Sequence, residues 1–397
     1  MGQRPALEVD RARIIGYRQR AQALDARLPP GPDALRRAAW AGLQDSMPRA
    51  ALLSLHARVA GIAPQAWEDP ALVQLWGPRY SAYVVAAQDR AAFTLGRLPD
   101  VPAKRQMAEA VAADLAAFLG GREMDYSAAG HAMGVPPNSL RYAAPTGTVL
   151  IRWDGARRPT IRVVPPPELG IEEARLELAR RYLHVFGPST AAAFGAWAGI
   201  SPAQARRTFE ALGAALIAVR TPLGEARILA SDEAALRDPR AAPRPKGDPP
   251  AADVPTGELP AGDGPGGYVP PGELPAGELP AGPVARLLPG PVARLLPGTV
   301  ARLLPSGDPY FLLLQGPERA LLVADATQRA ALWTPRVWPG ALLLDGEIVG
   351  TWRRAEAEVV VSPWRRLRHA ERDAVVAEVE ALPLPGLQGR LTVGWVD

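Results

Sequence analysis

Apolar residues in the middle of the chain recur at helical spacing and are then followed by two short alternating stretches. The pattern predicts a helix from Lys104 to Leu119, a second that ends at Gly134, and a third that opens at Pro136-Pro137. Residues 148–164 then predict two strands around a turn at Asp154-Gly155. Three helices followed by a hairpin are the order of a winged helix.

The same order recurs immediately afterwards, and capping residues mark its boundaries. Ile171 to Phe186 predicts the first helix, and Gly187-Pro188-Ser189-Thr190 opens a second that ends at Gly199. With Ser201 as N-cap and Pro202 in the first turn, a third helix is expected as far as Leu212. The segments ALIAVRT and ARILAS, on either side of PLGE, are typical of a second wing. Two consecutive matches indicate tandem winged helices.

The two ends of the chain differ in pattern. The N-terminal part predicts helices over 9–28, 33–43 and 48–59 and a strand over 80–86. The C-terminal part predicts strands near 310–314, 341–344, 347–353 and 358–361, a helix over 364–382 and a last strand over 391–395. A third winged helix in the N-terminal part is a weaker match to the pattern.

Residues 239–302 break the alternation with a dense run of Pro and Gly. The segment GELPA starts at 257, 272 and 277, and the eight-residue unit PVARLLPG, PVARLLPG, TVARLLPS covers 283–306. Such a composition supplies few backbone donors and buries too little surface to offset its ordering entropy, which predicts a disordered linker. The last copy runs into RLLPSGDPYFLLL, where the next folded strand is expected. Partner binding by the repeats is the alternative.

The fold class expected is therefore α+β, with tandem winged-helix domains and a β-rich C-terminal domain. The boundaries expected are 8–100 for an N-terminal helical region with the weaker winged helix, 101–167 and 168–236 for the two winged helices, 239–302 for the linker and 303–397 for the C-terminal domain.

Composition narrows the chemistry. The 397 residues include no cysteine and only four histidines, so disulfides, thiolate metal sites and a histidine-based metal centre are not expected, and no cofactor is predicted. The chain has no apolar run long enough to span a membrane and no signal-like stretch at its start, which predicts a cytoplasmic protein. Only two of the 45 basic residues are lysines. Codon bias explains such an arginine excess as well as phosphate binding does. The positions of the arginines in the predicted elements must therefore distinguish the two explanations.

The positions of the arginines and polar residues favour DNA binding. Arginines cluster at the first predicted wing, where a wing meets the phosphate backbone, and polar residues open the third helix, where phosphate or base contacts are made. The residues predicted to bind DNA are Asn138, Ser139, Arg141, Arg152, Arg157, Arg158 and Arg162. Neutralisation of phosphates by these arginines would make binding steeply salt-dependent. The alternative is a solvated arginine-rich face.

Five segments of the chain carry a further signal: GLQDSMPRAALLSLHARVAG, WEDPALVQLWGPR, FGPSTAAAFGAWAGIS, LLPSGDPYFLL and DGEIVGTWRR. Together they resemble the AlkZ/YcaQ-like winged-helix DNA glycosylases, a crosslink-repair family. The resemblance covers most of the chain outside 239–302. It implies tandem winged helices around a channel for duplex DNA, and hydrolysis of the N-glycosidic bond of N7-alkylated purines or of interstrand crosslinks.

The resemblance also implies where catalysis takes place. The family carries a Q-Φ-Q or Q-Φ-D motif after its second helix, and the corresponding residues are Gln44, Asp45 and Ser46. Gln44 matches, whereas the middle residue is acidic and the third is a serine. Gln44 could hold a water, and Asp45 could polarise it or stabilise the oxocarbenium ion if it faces the channel. The alternative is that Ser46 caps the next helix, with Asp45 favourable near its positive end. Family members often have histidine where Tyr83 stands.

The sequence therefore predicts a monofunctional DNA glycosylase that binds alkylated or crosslinked double-stranded DNA as a monomer. A Schiff-base lyase step is not expected, because no lysine lies near the motif. The alternative is a winged-helix DNA-binding protein without catalysis, either a damage sensor or a transcriptional regulator.

Overall fold

The computed structural model describes residues 7–31, 33–47, 49–153, 159–238, 299–312, 314, 316–387 and 389–396. Its strands are β1 (Leu7–Glu8), β2 (Leu43–Gln44), β3 (Leu72–Trp76), β4 (Ala82–Ala86), β5 (Met124–Asp125), β6 (Val149–Arg152), β7 (Thr160–Val163), β8 (Leu216–Thr221), β9 (Gly224–Leu229), β10 (Ala301–Leu304), β11 (Gly340–Leu344), β12 (Glu347–Ala355), β13 (Glu358–Pro363) and β14 (Thr392–Trp395).

The helices fall between these strands. They are α1 (Arg11–Ala21), α2 (Ala34–Ala38), α3 (Ala50–Arg58), α4 (Arg90–Phe93), α5 (Pro102–Leu119), α6 (Tyr126–Ala132), α7 (Ile171–Phe186), α8 (Ala191–Ala198), α9 (Pro202–Leu212), α10 (Glu233–Arg237), α11 (Pro309–Leu312), α12 (Pro317–Leu322), α13 (Ala326–Leu332) and α14 (His369–Glu380). The mixed α+β class is confirmed. None of the helices in the described parts of the chain is both long and apolar enough to cross a bilayer.

A six-stranded sheet joins the N-terminal part to the first helix–hairpin unit, in the order β2-β4-β3-β6-β7-β5. The N-terminal hairpin β3–β4 meets the first wing, β6–β7, where Gln74 lies opposite Ile151. Leu43 at the edge of this sheet pairs with Val84. The strand that carries the Gln-Asp-Ser motif therefore lies in the same sheet as the first wing.

In the first unit the third helix differs from the expectation. Helices α5 and α6 form as predicted, and Gly134 adopts a φ of 70° just after the second. Residues Pro137–Thr146 form a 3₁₀ helix instead of an α-helix. Pro145 within it has no N–H to donate, which removes a bond of the i→i−4 ladder.

The second unit follows its predicted boundaries closely. The first and third helices, α7 and α9, begin and end at the predicted residues. The Ser201 hydroxyl accepts a hydrogen bond from the Gln204 N–H at 3.1 Å, which is the N-cap bond expected. Its core is a cluster of rings contributed by Tyr182, Phe186, Phe194, Trp197 and Phe209. Its wing pairs with β1 in a separate sheet ordered β1-β8-β9.

The C-terminal part is a five-stranded sheet, β10-β11-β12-β13-β14, packed against α14. Strand β10 lies in the third copy of the repeat, as expected, but begins at Ala301, two residues inside the predicted linker. The predicted strand near 310–314 is wrong. Residues Pro309–Leu312 form α11, because the Asp308 carboxylate accepts the Tyr310 N–H at 2.9 Å and Pro309 sits in the first turn.

A buried ion pair fastens this C-terminal part to the N-terminal helices. The Arg58 guanidinium, 1% exposed, donates to both oxygens of Asp308 at 2.7 and 2.9 Å. Ser54 donates to the same carboxylate, and Gln22 accepts from Arg58. Because each charge is fully paired, the cost of burying it is offset.

Candidate active site

The Gln-Asp-Ser motif lies at the edge of the six-stranded sheet, and its side chains alternate between the two faces. Gln44 ends β2 and pairs in register with Tyr83 on β4, and the Asp45 N–H donates to the Ala82 carbonyl at 2.8 Å. Successive residues of a strand point to opposite faces. Asp45 therefore points to the face opposite Gln44. Ser46 lies beyond the end of β2, and its hydrogen bond to Gln44 places its hydroxyl on the Gln44 side.

Asp45 is held inside the protein. Its carboxylate, 5% exposed, accepts the Ala51 N–H at the start of α3 at 3.0 Å and the Gln74 amide N–H at 2.7 Å. Burial raises the pKa of Asp45 to about 6, although the two hydrogen bonds and the charge of Arg49 act in the opposite direction. This arrangement matches the interpretation of Asp45 as a carboxylate that stabilises the positive end of a helix.

Gln74 connects this carboxylate to the first wing. Its amide oxygen accepts the Trp153 N–H at 2.6 Å, and its amide nitrogen donates to the Trp153 carbonyl at 3.1 Å as well as to Asp45. Trp153 is the residue directly before the wing tip. The amide of Gln74 thus ties the wing to the strand that carries the motif.

Gln44 and Ser46 contact each other on the opposite face. The Gln44 amide N–H donates to the Ser46 hydroxyl at 3.0 Å. Gln44 is 9% exposed, and within the described residues its amide oxygen has no hydrogen-bond partner. The interpretation of Ser46 as the cap of α3 is wrong, because Asp45 accepts the N–H at the start of this helix and Ser46 accepts from Gln44 instead. A buried amide oxygen without a partner is costly, and it is free to accept a hydrogen bond from a further donor.

Tyr83 adds a second polar atom to this face. Its hydroxyl, like the Gln44 amide oxygen, is buried without a partner among the described residues. Burial raises the pKa of Tyr83 to about 12, against the charges of Arg79 and Arg97, so the phenol keeps its proton. Arg97 is itself 3% exposed and donates to the carbonyls of Trp76 and Ala198 at 3.1 and 2.9 Å. Burial lowers the pKa of Arg97 to about 10, so it stays charged near neutral pH.

The structure brings together part of the predicted DNA-binding set. Arg152 and Arg162 are exposed on the two strands of the first wing, and both line a cavity of about 360 Å³ whose wall includes Gln74 and Trp67. The guanidinium groups of Arg49 and Arg152 lie 3.9 and 5.0 Å from the Trp67 ring centre. Arg157 and Arg158, the wing-tip residues, lie outside the described residues.

The remaining predicted contacts lie on the 3₁₀ helix of the first unit. Ser139 donates to the Pro136 carbonyl at 2.7 Å, and Asn138 accepts from the Tyr126 hydroxyl at 3.2 Å. The Arg141 guanidinium packs 5.8 Å from the Trp76 ring centre and 5.9 Å from that of Tyr126. These side chains therefore have partners within the protein, and a contact to DNA by them stays a prediction.

Gln74 and Arg97 were not singled out from the sequence. Gln74 is the only polar side chain in the strand LVQLW, and a polar residue in the middle of an apolar run is the signal that could have revealed it. No comparable signal marks Arg97, which lies in the mixed segment TLGRLP.

The family follows from comparison with known proteins. The profile of the family described as DNA glycosylase AlkZ-like matches residues 37–252 and 266–383, most of the chain. The chain therefore belongs to the AlkZ-like DNA glycosylases and is a DNA-repair hydrolase that acts on DNA.

A solved structure has the same fold. It is the DNA glycosylase AlkZ of Streptomyces sahachiroi, with a TM-score of 0.66 and 17% identity, and the match covers 98% of this chain and 100% of that one. No curated protein matches the sequence. Across the described residues, no cluster of three or more His, Cys, Asp or Glu side chains could hold a metal ion.

Proposed function

We propose that this glycosylase, acting as a cytoplasmic monomer, hydrolyses the N-glycosidic bond of N7-alkylated purines in duplex DNA, either as single lesions or within interstrand crosslinks. Gln44 and Ser46 are proposed to face the reacting sugar, and Asp45 to support them. One observation carries this proposal: the amide oxygen of Gln44 is buried without a partner on the face that it shares with Ser46 and Tyr83.

The reaction needs little catalytic assistance, because the alkylated base is a good leaving group. A purine alkylated at N7 is cationic, so the electron pair of the breaking bond neutralises the departing base and no protonation of that base is needed. Positive charge then develops on the sugar, a water adds its oxygen to C1′, and the released proton passes to solvent. The Gln44 amide oxygen can accept a hydrogen bond from that water and hold it in place. The hydrogen bond to Ser46 fixes the orientation of the amide.

Asp45 has a supporting role in this proposal. It is bonded to Ala51 and Gln74 on the opposite face of the strand, so its carboxylate is not available to the sugar. By joining the start of α3 to β3 it fixes the end of the strand that carries Gln44. We therefore propose a positional role for Asp45 in place of the alternative that it polarises the water or stabilises the oxocarbenium ion.

The first wing is proposed to hold the duplex. Arg152 and Arg162 are exposed on its strands, and Arg157 and Arg158 occur in the sequence at its tip. Arginine forms bidentate contacts with phosphate, and several such contacts make the affinity fall steeply with salt. Gln74 would transmit the position of the bound wing to the motif strand.

A single-turnover assay tests the proposal. The substrates are duplexes with one N7-methylguanine or one defined interstrand crosslink, and an undamaged duplex is the control. We expect alkali-labile abasic sites from the damaged duplexes with the wild type and none with Gln44→Ala. Tight binding without excision from either lesion would overturn the proposed substrate class.

A further inference from the structure

The turn between β3 and β4 is strained. Arg79 and Tyr80 have φ angles of 54° and 58°, a region that side chains other than glycine seldom adopt. The second unit presses against this turn: a Cβ at Gly199 would lie 3.0 Å from the Arg79 nitrogen. Such strain persists only where the surroundings enforce it, and it concentrates at functional positions.

The strained turn presents an aromatic pair at the surface. Tyr80 meets Tyr142 edge to face, with ring centres 5.6 Å apart and ring planes at 85°. Tyr142 is 42% exposed and lies on the 3₁₀ helix of the first unit, next to Arg141. An exposed tyrosine fixed against a second ring keeps a flat apolar face toward solvent at low entropic cost.

The pair lies close to the sheet that holds the candidate active site. The Arg97 guanidinium lies 5.1 Å from the Tyr80 ring centre, and its charge acts on Tyr83. Tyr83 pairs in register with Gln44. Tyr142 therefore contacts the turn of the hairpin β3–β4, and strand β4 of that hairpin pairs with the motif strand.

From this arrangement we propose that Tyr142, braced by Tyr80, stacks against a nucleobase that has lost its neighbours in the duplex at the lesion. The inference deepens the proposed function, since it names a substrate contact of the same site. Tyr142 is a binding residue in this role and takes no part in bond breaking.

The surroundings favour a nucleotide over a peptide or an uncharged ligand. Arg79 is exposed on the strained turn directly before Tyr80, so a cationic side chain adjoins the aromatic pair. A flat π-system joined to a negative phosphate complements that combination. Stacking of a base on an aromatic side chain tolerates every base, as a lesion site requires.

Binding of the full chain to two duplexes that carry no excisable base tests the inference. One carries a single unpaired adenine, which can be extruded, and the other carries a tetrahydrofuran abasic analogue opposite adenine, which leaves the partner base unstacked. We expect the wild type to bind at least one of them more tightly than the fully paired duplex. Tyr142→Ala should reduce that preference about tenfold, and Tyr142→Phe should keep it.

Met107→Ala is the matched control, because Met107 is similarly exposed, at 45%, on α5 of the same unit. If Tyr142→Ala loses only the preference for the unpaired adenine, Tyr142 stacks on the extruded base. If it loses only the preference for the abasic duplex, Tyr142 stacks on the base opposite the lesion. Equal affinity of wild type and Tyr142→Ala for all duplexes, or an equal loss for paired and unpaired ones, would overturn the inference. Because the enzyme removes no base from either duplex, the binding result does not depend on whether Gln44 supports excision.

Discussion

The two winged-helix units come from the same sequence pattern but are built differently. The second consists of regular helices around a cluster of aromatic rings, and its wing pairs with β1 in a separate three-stranded sheet. The first has a 3₁₀ helix in third position, and its wing extends the sheet that holds the motif strand. In the second unit the regular helices serve to pack the core. In the first unit the irregular third helix belongs to the unit whose wing is joined to the candidate site.

The largest effect on stability is expected in the second unit. Phe194 is fully buried and contacts the rings of Tyr182, Trp197 and Phe209. Phe194→Ala should lower the free energy of unfolding by about 3–5 kcal/mol, because it removes apolar contacts and leaves a cavity. Urea denaturation of the variant and of Phe194→Leu, which keeps most of the volume, measures this difference. A loss below about 1 kcal/mol would show that the ring cluster is not what stabilises the second unit.

In the sheet of the first unit, Asp45→Asn should give a smaller and pH-dependent effect. The pKa of Asp45 is about 6, above its ordinary value of 3.8, so the folded protein binds this proton more tightly than the unfolded chain. The contribution is therefore complete below about pH 4 and is lost as the pH rises through 6. The stability of wild type relative to Asp45→Asn should shrink across this range, by at most about 3 kcal/mol.

Thermal unfolding of both proteins at several pH values measures this difference. A pH-independent difference between wild type and Asp45→Asn would contradict the buried position of this carboxylate.

The smallest effect is expected on the salt dependence of DNA binding, when the two wings are compared directly. Arg162 on β7 and Arg227 on β9 are exposed at the second strand of each wing. Arg162→Ala should lower the salt dependence of DNA binding by about one phosphate contact, whereas Arg227→Ala should leave it unchanged. Fluorescence anisotropy at several salt concentrations gives both slopes. Equal slopes for the two variants would remove the functional distinction between the wings.

Local signals determined how far the sequence could predict the fold. Helices α7 and α9 were predicted to the residue. Ser201 and Pro202 mark the start of α9 by their own chemistry, as Gly199 marks the end of α8. The strand expected near 310–314 failed, because the aromatic and apolar residues there were outweighed by Asp308 and Pro309 at a helix start. Strand β3 was missed although LVQLW is apolar, since its pairing partners are distant in sequence.

The candidate site was less predictable than the fold. The family resemblance located Gln44, Asp45 and Ser46, but the direction of each side chain depends on the pairing of a two-residue strand with β4. A shift of that pairing by one residue would exchange the faces of Gln44 and Asp45. The contact from Asp45 to Gln74 spans the sheet, and no local pattern in the sequence reports it.

The central claim is that the face of the motif strand with Gln44 performs the reaction while Asp45 supports it from the other face. The most direct test is the single-turnover excision rate on an N7-methylguanine duplex for Gln44→Ala and Asp45→Asn, measured at saturating protein. We predict that Gln44→Ala lowers the rate about a hundredfold or more, while Asp45→Asn stays within about tenfold of the wild type. Loss of excision in Asp45→Asn, with a nearly unchanged rate in Gln44→Ala, would contradict the account.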